Sequence, residues 1–419
     1  MALETLKLEV RVSGVRVGQL FRALSGKVVF RPDEDWIRRE QLPPLGLPFL
    51  RDQSLRQAAS GIPAWFEHLL PARGGALRTW IEQQEGGQKI TSFQLLHRLG
   101  YDLPGAVELR EMGSLSPAPP EDTEHWDDTL PRRLTFSLAG MQLKFSMKEV
   151  NHRYVLPSRD AEGRWLVKLP SHQFPLLPEI EAFTMDWSRA TGFRTPECRV
   201  IETQHLTGVG PRLVEQSPFA LAVARFDRTD DGQRIHQEDF AQALDIGTED
   251  SEIYGRRGEK RVSYDMLVRL VMDAAGESSR DEFIERVAFM LASGNTDAHL
   301  KNWSFQWQDT FRPQLSPYYD QVCTIVFERF GWHGAQPPSL ALVLGKAAHC
   351  GAIELKTLKR FEDSSQCVGA EERFVEGLKK ARRAFHSLAK SCPAMMRQAL
   401  EEHWQQVPLL KQLGGLLSA

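Results

Sequence analysis

The chain has 419 residues, 42% hydrophobic and 26% charged, with a formal net charge of −3. That size and balance fit a soluble globular protein of two or three packed units, and they count against a chain that binds nucleic acid unaided, which is usually basic over at least one domain. No run approaches the roughly 18 consecutive apolar residues of a membrane span, and the five cysteines are scattered without a C-x-x-C pair, which speaks against a disulfide framework and a zinc site.

Residues 1–114 read as a unit of their own. The start, MALETLKLEVRV, alternates apolar and polar residues and lacks the basic start and apolar core of a secretion signal. A strand over Leu6–Val12 in a cytoplasmic protein is expected, with a second strand over Lys27–Phe30. The proline-rich stretch LPPLGLPFL (42–50) is predicted to be extended and not helical. Two amphipathic helices follow, one carrying Trp65, Phe66, Leu69 and Leu70, the other Phe93, Leu95, Leu96 and Leu99, with Gly100 as the stop. Residues 115–131, rich in proline and acid, read as a linker.

Residues 132–226 read as mostly β. Strands are expected at Leu134–Leu138, Gln142–Ser146, Tyr154–Leu156, Trp165–Leu169 and Phe219–Arg225, with one helix over Glu179–Ala190 closed by Gly192. From 227 to 419 the period becomes helical: Tyr264, Leu267, Leu270 and Val271 share one face, Phe283, Val287, Met290 and Leu291 another, and Phe374, Leu378, Phe385 and Leu388 a third. The expected class is α+β in two lobes, a β-rich N-terminal lobe with an extra subdomain and an all-helical C-terminal lobe, and a cleft between lobes is the default ligand site.

The sharpest motif is GNTDAHLKNW (294–303), directly after the Phe283–Leu291 face. Phosphoryl transfer to a hydroxyl needs a base near the acceptor and hard oxygen ligands for Mg²⁺, and a D-x-x-x-x-N loop, here Asp297 and Asn302, supplies both. Asp320, in LSPYYDQV (315–322), is the expected second carboxylate for Mg²⁺. The same residues also fit an ordinary polar turn. Lys168 lies near the end of the apolar run RWLVKLP (164–170), where an inward lysine could hold phosphates and pair with Glu179 or Glu181; taken by itself it reads first as an edge lysine facing water. SLAGMQLKFS (137–146) places a turn at Gly140, with Lys144 nearby, that could cover phosphates or be a plain hairpin. ALAVARFDR (220–228) ends an apolar strand where backbone near Ala224–Phe226 could pair with adenine and Asp227 could reach a ribose hydroxyl, or it is a plain strand end with a surface Asp–Arg pair. The sequence has no P-loop, no third glycine after GVG (208–210), no nucleophile elbow and no metal-ligand spacing around His299.

In this order the motifs resemble the HipA kinase family over nearly the whole chain. WFEHLLPARGGALRTWI and FQLLHRLGYDLPGAVEL are similar to its N-terminal subdomain, SLAGMQLK to its phosphate loop, WLVKLP to its ATP-lysine strand, LAVARFDR to its hinge, GNTDAHLKNW and SPYYDQV to its catalytic and metal loops, and SLALVLGK (339–346) to a further segment. The resemblance implies a two-lobe protein-kinase-like fold and a serine/threonine protein kinase toxin using ATP and Mg²⁺. Asp297 would be the base, and Asn302 and Asp320 would hold Mg²⁺. Lys168, Gly140, Gln142, Lys144 and His299 would line the nucleotide, Ala224 and Phe226 would frame adenine, and Asp227 would lie near the ribose. Ser137 would be the autophosphorylated serine, its added charge repelling ATP from the same site. The implied substrate is a translation protein such as an aminoacyl-tRNA synthetase, and the implied partner is a helix-turn-helix antitoxin of the HipB type, with DNA met only through it and no membrane contact. Leu143 departs from the pattern, standing where many relatives carry an acid. A small-molecule phosphotransferase and a catalytically inactive co-repressor are the alternative readings.

Overall fold

The structure, a computed structural model, describes residues 7–23, 25–38, 43–52, 56–58, 61–84, 87–112, 143–156, 162–169, 174–209, 217–255, 262–308, 312–330, 339–414 and 416. The expected linker and the Leu134–Leu138 strand lie outside them. The chain divides into two compact units, one of residues 1–170, 201–248 and 307–311, the other of residues 171–200, 249–306 and 312–419.

The first unit contains two sheets. The period-two alternation of β1 (Lys7–Val12) buries Leu8, Val10 and Val12 on one face. β1 pairs antiparallel with β2 (Val15–Arg22) and, on its other edge, with β5 (Val107–Glu111). β3 (Val28–Pro32) and β4 (Arg56–Gln57) complete the order β4-β3-β2-β1-β5. Phe30, Phe49, Trp65 and Phe66 form an aromatic cluster over this sheet, with ring centroids 5.0–5.6 Å apart.

The second sheet has the order β10-β7-β6-β8-β11-β9, from β6 (Lys144–Val150), β7 (Arg153–Val155), β8 (Trp165–Lys168), β9 (Cys198–Glu202), β10 (Leu206–Thr207) and β11 (Phe219–Ala224). β8 lies antiparallel between β6 and β11. One face of these three strands, through Phe145, Met147, Val167, Ala220 and Ala222, joins the same apolar core as the N-terminal sheet. The shared core explains why two segments that read as separate units along the sequence form one body.

The second unit is mainly helical. Its long helices are Leu177–Thr191, Tyr264–Ala275, Glu277–Ala292, Leu355–Ser365, Ala370–Leu388 and Ala394–Gln406. Glu277–Ala292 and Ala370–Leu388 approach closely at Gly377, where a Cβ would meet Ala288 Cβ at 2.9 Å.

Four expectations change. The 42–50 stretch is not wholly extended, because a helix starts at Leu47 (Leu47–Arg51) with Pro48 in its first turn, where a missing N–H costs no hydrogen bond. The Trp65 helix is a single turn, Ala64–Glu67; Leu69 and Leu70 are buried just beyond it. The Leu177–Thr191 helix clusters with the helical unit, since Trp187 Nε1 donates to Ala381 O at 2.7 Å and its ring packs on Phe385 and Phe289, whereas residues 227–248 go with the β unit. The C-terminal part also carries hairpin pairings, Ser304–Trp307 with Gln314–Leu315 and Ser339–Leu344 with Ala347–His349, so it is not purely helical.

In the first unit, Glu238 on the strand His236–Asp239 is fully buried and accepts from Leu47 N (2.8 Å) and Trp65 Nε1 (3.3 Å). Burial pushes its carboxyl up to about 8 against those hydrogen bonds. The folded state then holds a proton that the unfolded chain releases near its ordinary value of 4.5, so stability from this group is lost as pH rises from there through about 8. Glu238→Gln is expected to flatten the fall in melting temperature between roughly pH 6 and 8, as measured by thermal denaturation across that range.

Candidate active site

Within residues 294–303 only Asp297 and His299 are partly open to solvent; the rest of the loop is buried. A buried loop must pair its own backbone groups, and here the pairing comes from a second turn. Thr296 N donates to Thr324 Oγ1 (2.7 Å), Thr324 Oγ1 donates to Gly294 O (3.1 Å), and Ile325 N donates to Gly294 O (3.2 Å). Asn295 Nδ2 donates to Gln321 Oε1 (3.1 Å), while Asn295 Oδ1 accepts from Asp297 N (3.0 Å). The loop carrying Asp297 is thereby stitched to the turn carrying Asp320. Tyr264 OH and Trp303 Nε1 both donate to Ala298 O, at 3.0 and 3.1 Å, and Tyr319 OH donates to Lys301 O at 2.8 Å.

Asn302 Nδ2 donates to Asp297 O at 3.0 Å, which fixes the amide so that Oδ1 is the acceptor left for a ligand. Asp320 is half-buried and adopts φ +58°, a left-handed conformation that aspartate tolerates better than most residues. Its flanks hold it there: Tyr318 is fully buried, with its N–H on Arg194 O (2.7 Å) and its hydroxyl on Arg286 O (3.0 Å), and Gln321 Nε2 donates to Tyr319 O (2.7 Å). Among the described residues no group of three or more His, Cys, Asp or Glu is arranged to hold a metal. Mg²⁺ does not require such a cage, since it takes one or two protein oxygens and fills its shell with phosphate and water. The oxygens of Asn302 and Asp320 are donors of that hard type. His299 Nδ1 accepts from Lys301 N (3.3 Å), and its ring stands edge-on to Tyr254 at 5.0 Å. Tyr254 OH donates to Asp297 Oδ1 at 2.5 Å; no sequence pattern marks this residue.

The other candidates lie in the first unit. Lys144 and Lys168 stand directly opposite on β6 and β8, both nearly buried, on the same sheet face as Leu166, Leu221 and Val223. The pairing of β6 with β8 thus sets two basic side chains side by side on one face of the sheet. Ala224 ends β11 and Phe226 follows it, both half-buried. Gly140, Gln142 and Ser137 lie outside the described residues.

Asp227 does pair with arginine, but it is buried and not at the surface. Its carboxylate accepts from Arg225 Nε (3.0 Å) and Nη2 (2.9 Å), Arg228 Nη1 (3.0 Å) and Gly105 N (2.8 Å). Asp102 completes the cluster, 2.6 Å from Arg225 Nη1 and 2.9 Å from Arg228 Nη2. Burial alone would raise both carboxyls, but the two guanidiniums outweigh it and hold both below the usual range. Asp227 is thus a structural counter-ion under the strand end, and the ribose role is withdrawn from it. Arg225, absent from the expected site, also donates to Ser146 Oγ on β6 (3.1 Å), so the strand end, β6 and the segment around Asp102 share one buried polar core.

Comparison with known proteins gives a consistent result. The model of the HipA-like C-terminal domain matches residues 136–403, and that of the HipA N-terminal domain matches residues 8–110. Y4dM of Sinorhizobium fredii (strain NBRC 101917 / NGR234), which carries a provisional kinase name, is 35% identical over 76% of this chain and 78% of its own length. The serine/threonine-protein kinase toxin HipA of Shewanella oneidensis is 24% identical over 78% of this chain and 77% of its own. A solved structure of the Shewanella oneidensis MR-1 toxin–antitoxin system, HipA and HipB with operator DNA, superposes with a TM-score of 0.70 at 19% identity over 97% of this chain and 99% of that one. The last likeness shows the fold, an α+β kinase-like one.

Two substitutions test the geometry. Thr324→Val strands the buried Thr296 N–H and is expected to cost about 1–3 kcal/mol and to speed amide exchange across residues 294–302, read by hydrogen–deuterium exchange. Arg225→Met leaves Asp102 and Asp227 buried with only one of their two shared cations, Arg228; the expected loss is about 3–5 kcal/mol, read as a lowered denaturation midpoint.

Proposed function

Because this chain belongs to the HipA family, we propose that it is a serine/threonine protein kinase that uses Mg-ATP and acts as a toxin. One observation carries the reading: the only two partly open residues of a buried, cross-stitched loop are Asp297 and His299, with Asn302 turned on the loop's own backbone and the Asp320 turn hydrogen-bonded alongside. That is the constellation phosphoryl transfer to a hydroxyl needs, where positioning and charge stabilisation supply most of the catalysis.

In this reading Asp297 takes the proton of the acceptor hydroxyl. Asn302 and Asp320 hold Mg²⁺, which when bound neutralises charge on the phosphates. Lys144 and Lys168 steady the nucleotide's phosphates from one face of the sheet. Ala224 and Phe226 border the adenine, His299, Gly140 and Gln142 belong to the nucleotide site, and Ser137 is the autophosphorylated residue. The acceptor is a serine or threonine of a protein, with a translation protein such as an aminoacyl-tRNA synthetase as the proposed class. The likeness to a HipA solved with HipB and operator DNA supports a HipB-type antitoxin as partner, and the net charge of −3 supports DNA contact only through that partner. No helix of the described residues is long and apolar enough to cross a membrane; the proposed location is the cytoplasm, where ATP and an operator are both at hand.

Incubation of the purified chain with Mg-ATP, followed by intact and peptide mass measurement, is expected to show phosphate on Ser137. Asp297→Asn and Asp320→Asn should each lower incorporation by about 10²-fold or more, with circular dichroism and melting temperature unchanged. Phosphate on a small molecule and never on protein would favour a small-molecule phosphotransferase; absence of both transfer and ATP binding would favour an inactive co-repressor.

A further inference from the structure

The main chain of Asp297 is held at both ends. Its N–H donates to Asn295 Oδ1 (3.0 Å), and its carbonyl accepts from His299 N (2.7 Å) and Asn302 Nδ2 (3.0 Å). None of these three bonds reaches the carboxylate. The terminal torsion of an aspartate is broad and roughly two-fold, so contacts of the carboxylate itself set its plane. The phenol of Tyr254 is one such contact, donating to Oδ1 at 2.5 Å.

Tyr254 is itself gripped. It follows the short Asp250–Ile253 helix, and the next residue, Gly255, turns the chain with φ +61° and its N–H on Glu252 O at 2.9 Å. That turn is packed so closely that a Cβ on Gly255 would meet Val262 O at 2.6 Å and Leu342 Cδ2 at 3.0 Å. On the other side the His299 ring stands edge-on to the phenol, with centroids 5.0 Å apart at 78°. The hydroxyl is therefore placed by one packed turn and by the loop it serves.

We propose that Tyr254 is a positioning residue for phosphoryl transfer: its hydroxyl occupies Oδ1 of Asp297 and sets the carboxylate plane so that Oδ2 meets the acceptor hydroxyl. The proposal rests on the kinase reading. As the acceptor oxygen bonds to the γ-phosphorus and the bond to the leaving nucleoside diphosphate breaks, the acceptor proton passes to Oδ2. Tyr254 keeps its own proton throughout and acts only through Asp297.

The test follows incorporation of phosphate from γ-labelled ATP into the full chain itself, over a range of ATP concentrations with Mg²⁺. Tyr254→Phe is expected to lower the maximal rate roughly 10- to 100-fold, while the half-saturating ATP concentration and the melting temperature stay at wild-type values. 4-Aminophenylalanine introduced at position 254, whose N–H can donate in place of the hydroxyl, should recover most of the rate. Should the Phe variant lose thermal stability, 4-methylphenylalanine, close in size to tyrosine but unable to donate, takes its place in the comparison. A non-donating variant with a wild-type maximal rate overturns the positioning role alone. So does a faster one, which would mean that the phenol blocks the acceptor's place, and so does failure of the amino variant to recover the rate. A wild-type chain that incorporates no phosphate overturns this proposal, and one that also binds no ATP overturns the kinase reading with it.

Discussion

Backbone polar groups removed from water must find partners, and that constraint shapes the region around Asp297. The segment after the Glu277–Ala292 helix is too deeply buried to leave its amides to solvent, and it forms no ladder of its own. Its partners are side chains of a turn some thirty residues on: Thr324 serves Thr296 and Gly294, and Gln321 serves Asn295. Satisfying the buried backbone and aligning the two acidic loops are thus one event.

The first unit solves a different problem with charge. Asp102, Asp227, Arg225 and Arg228 are nearly inaccessible and bind one another at 2.6–3.0 Å. Such a cluster contributes little net stability over a well-packed apolar one, but it tolerates no missing member. Its members come from a turn after the Ser92–Leu99 helix and from the end of β11, so it fixes how those two segments meet. Together with the apolar core shared by the two sheets, it makes the N-terminal sheet part of one unit with the second sheet instead of an appendage. The facing lysines Lys144 and Lys168 stand on this platform, on strands whose opposite face is locked into that core.

Much of the fold was legible in the chain. Alternation in β1, the apolar runs of β8 and β11 and helical spacing in Tyr264–Ala275 and Glu277–Ala292 depend on neighbours a few residues apart, and there the expected elements agree with those observed to within a few residues. Expectation failed where a local rule met a positional exception or a distant partner. Pro48 was read as a helix breaker but sits in a first turn. Trp65 and Leu69 carry helical spacing, yet the segment runs on as a turn after one helical turn. The Leu177–Thr191 helix was assigned by its place in the sequence, whereas Trp187 assigns it by contact with Ala381, 194 residues away.

The order of motifs, the Asp297-to-Asn302 spacing and the later Asp320 were fixed by sequence alone, and they were enough to point to the family and its chemistry. What the carboxylates touch was decided only in three dimensions. Asp227 looked like a ligand residue because it follows an apolar strand, and it proved to be the counter-ion of Arg225 and Arg228 beneath Gly105, 122 residues earlier. Tyr254 carries no motif and lies 43 residues before the aspartate it holds. Periodicity and spacing encode neighbours along the chain, whereas partners brought together by chain folding leave no such pattern in a single sequence, and at Asp297 and Asp227 those partners set what each carboxylate can do.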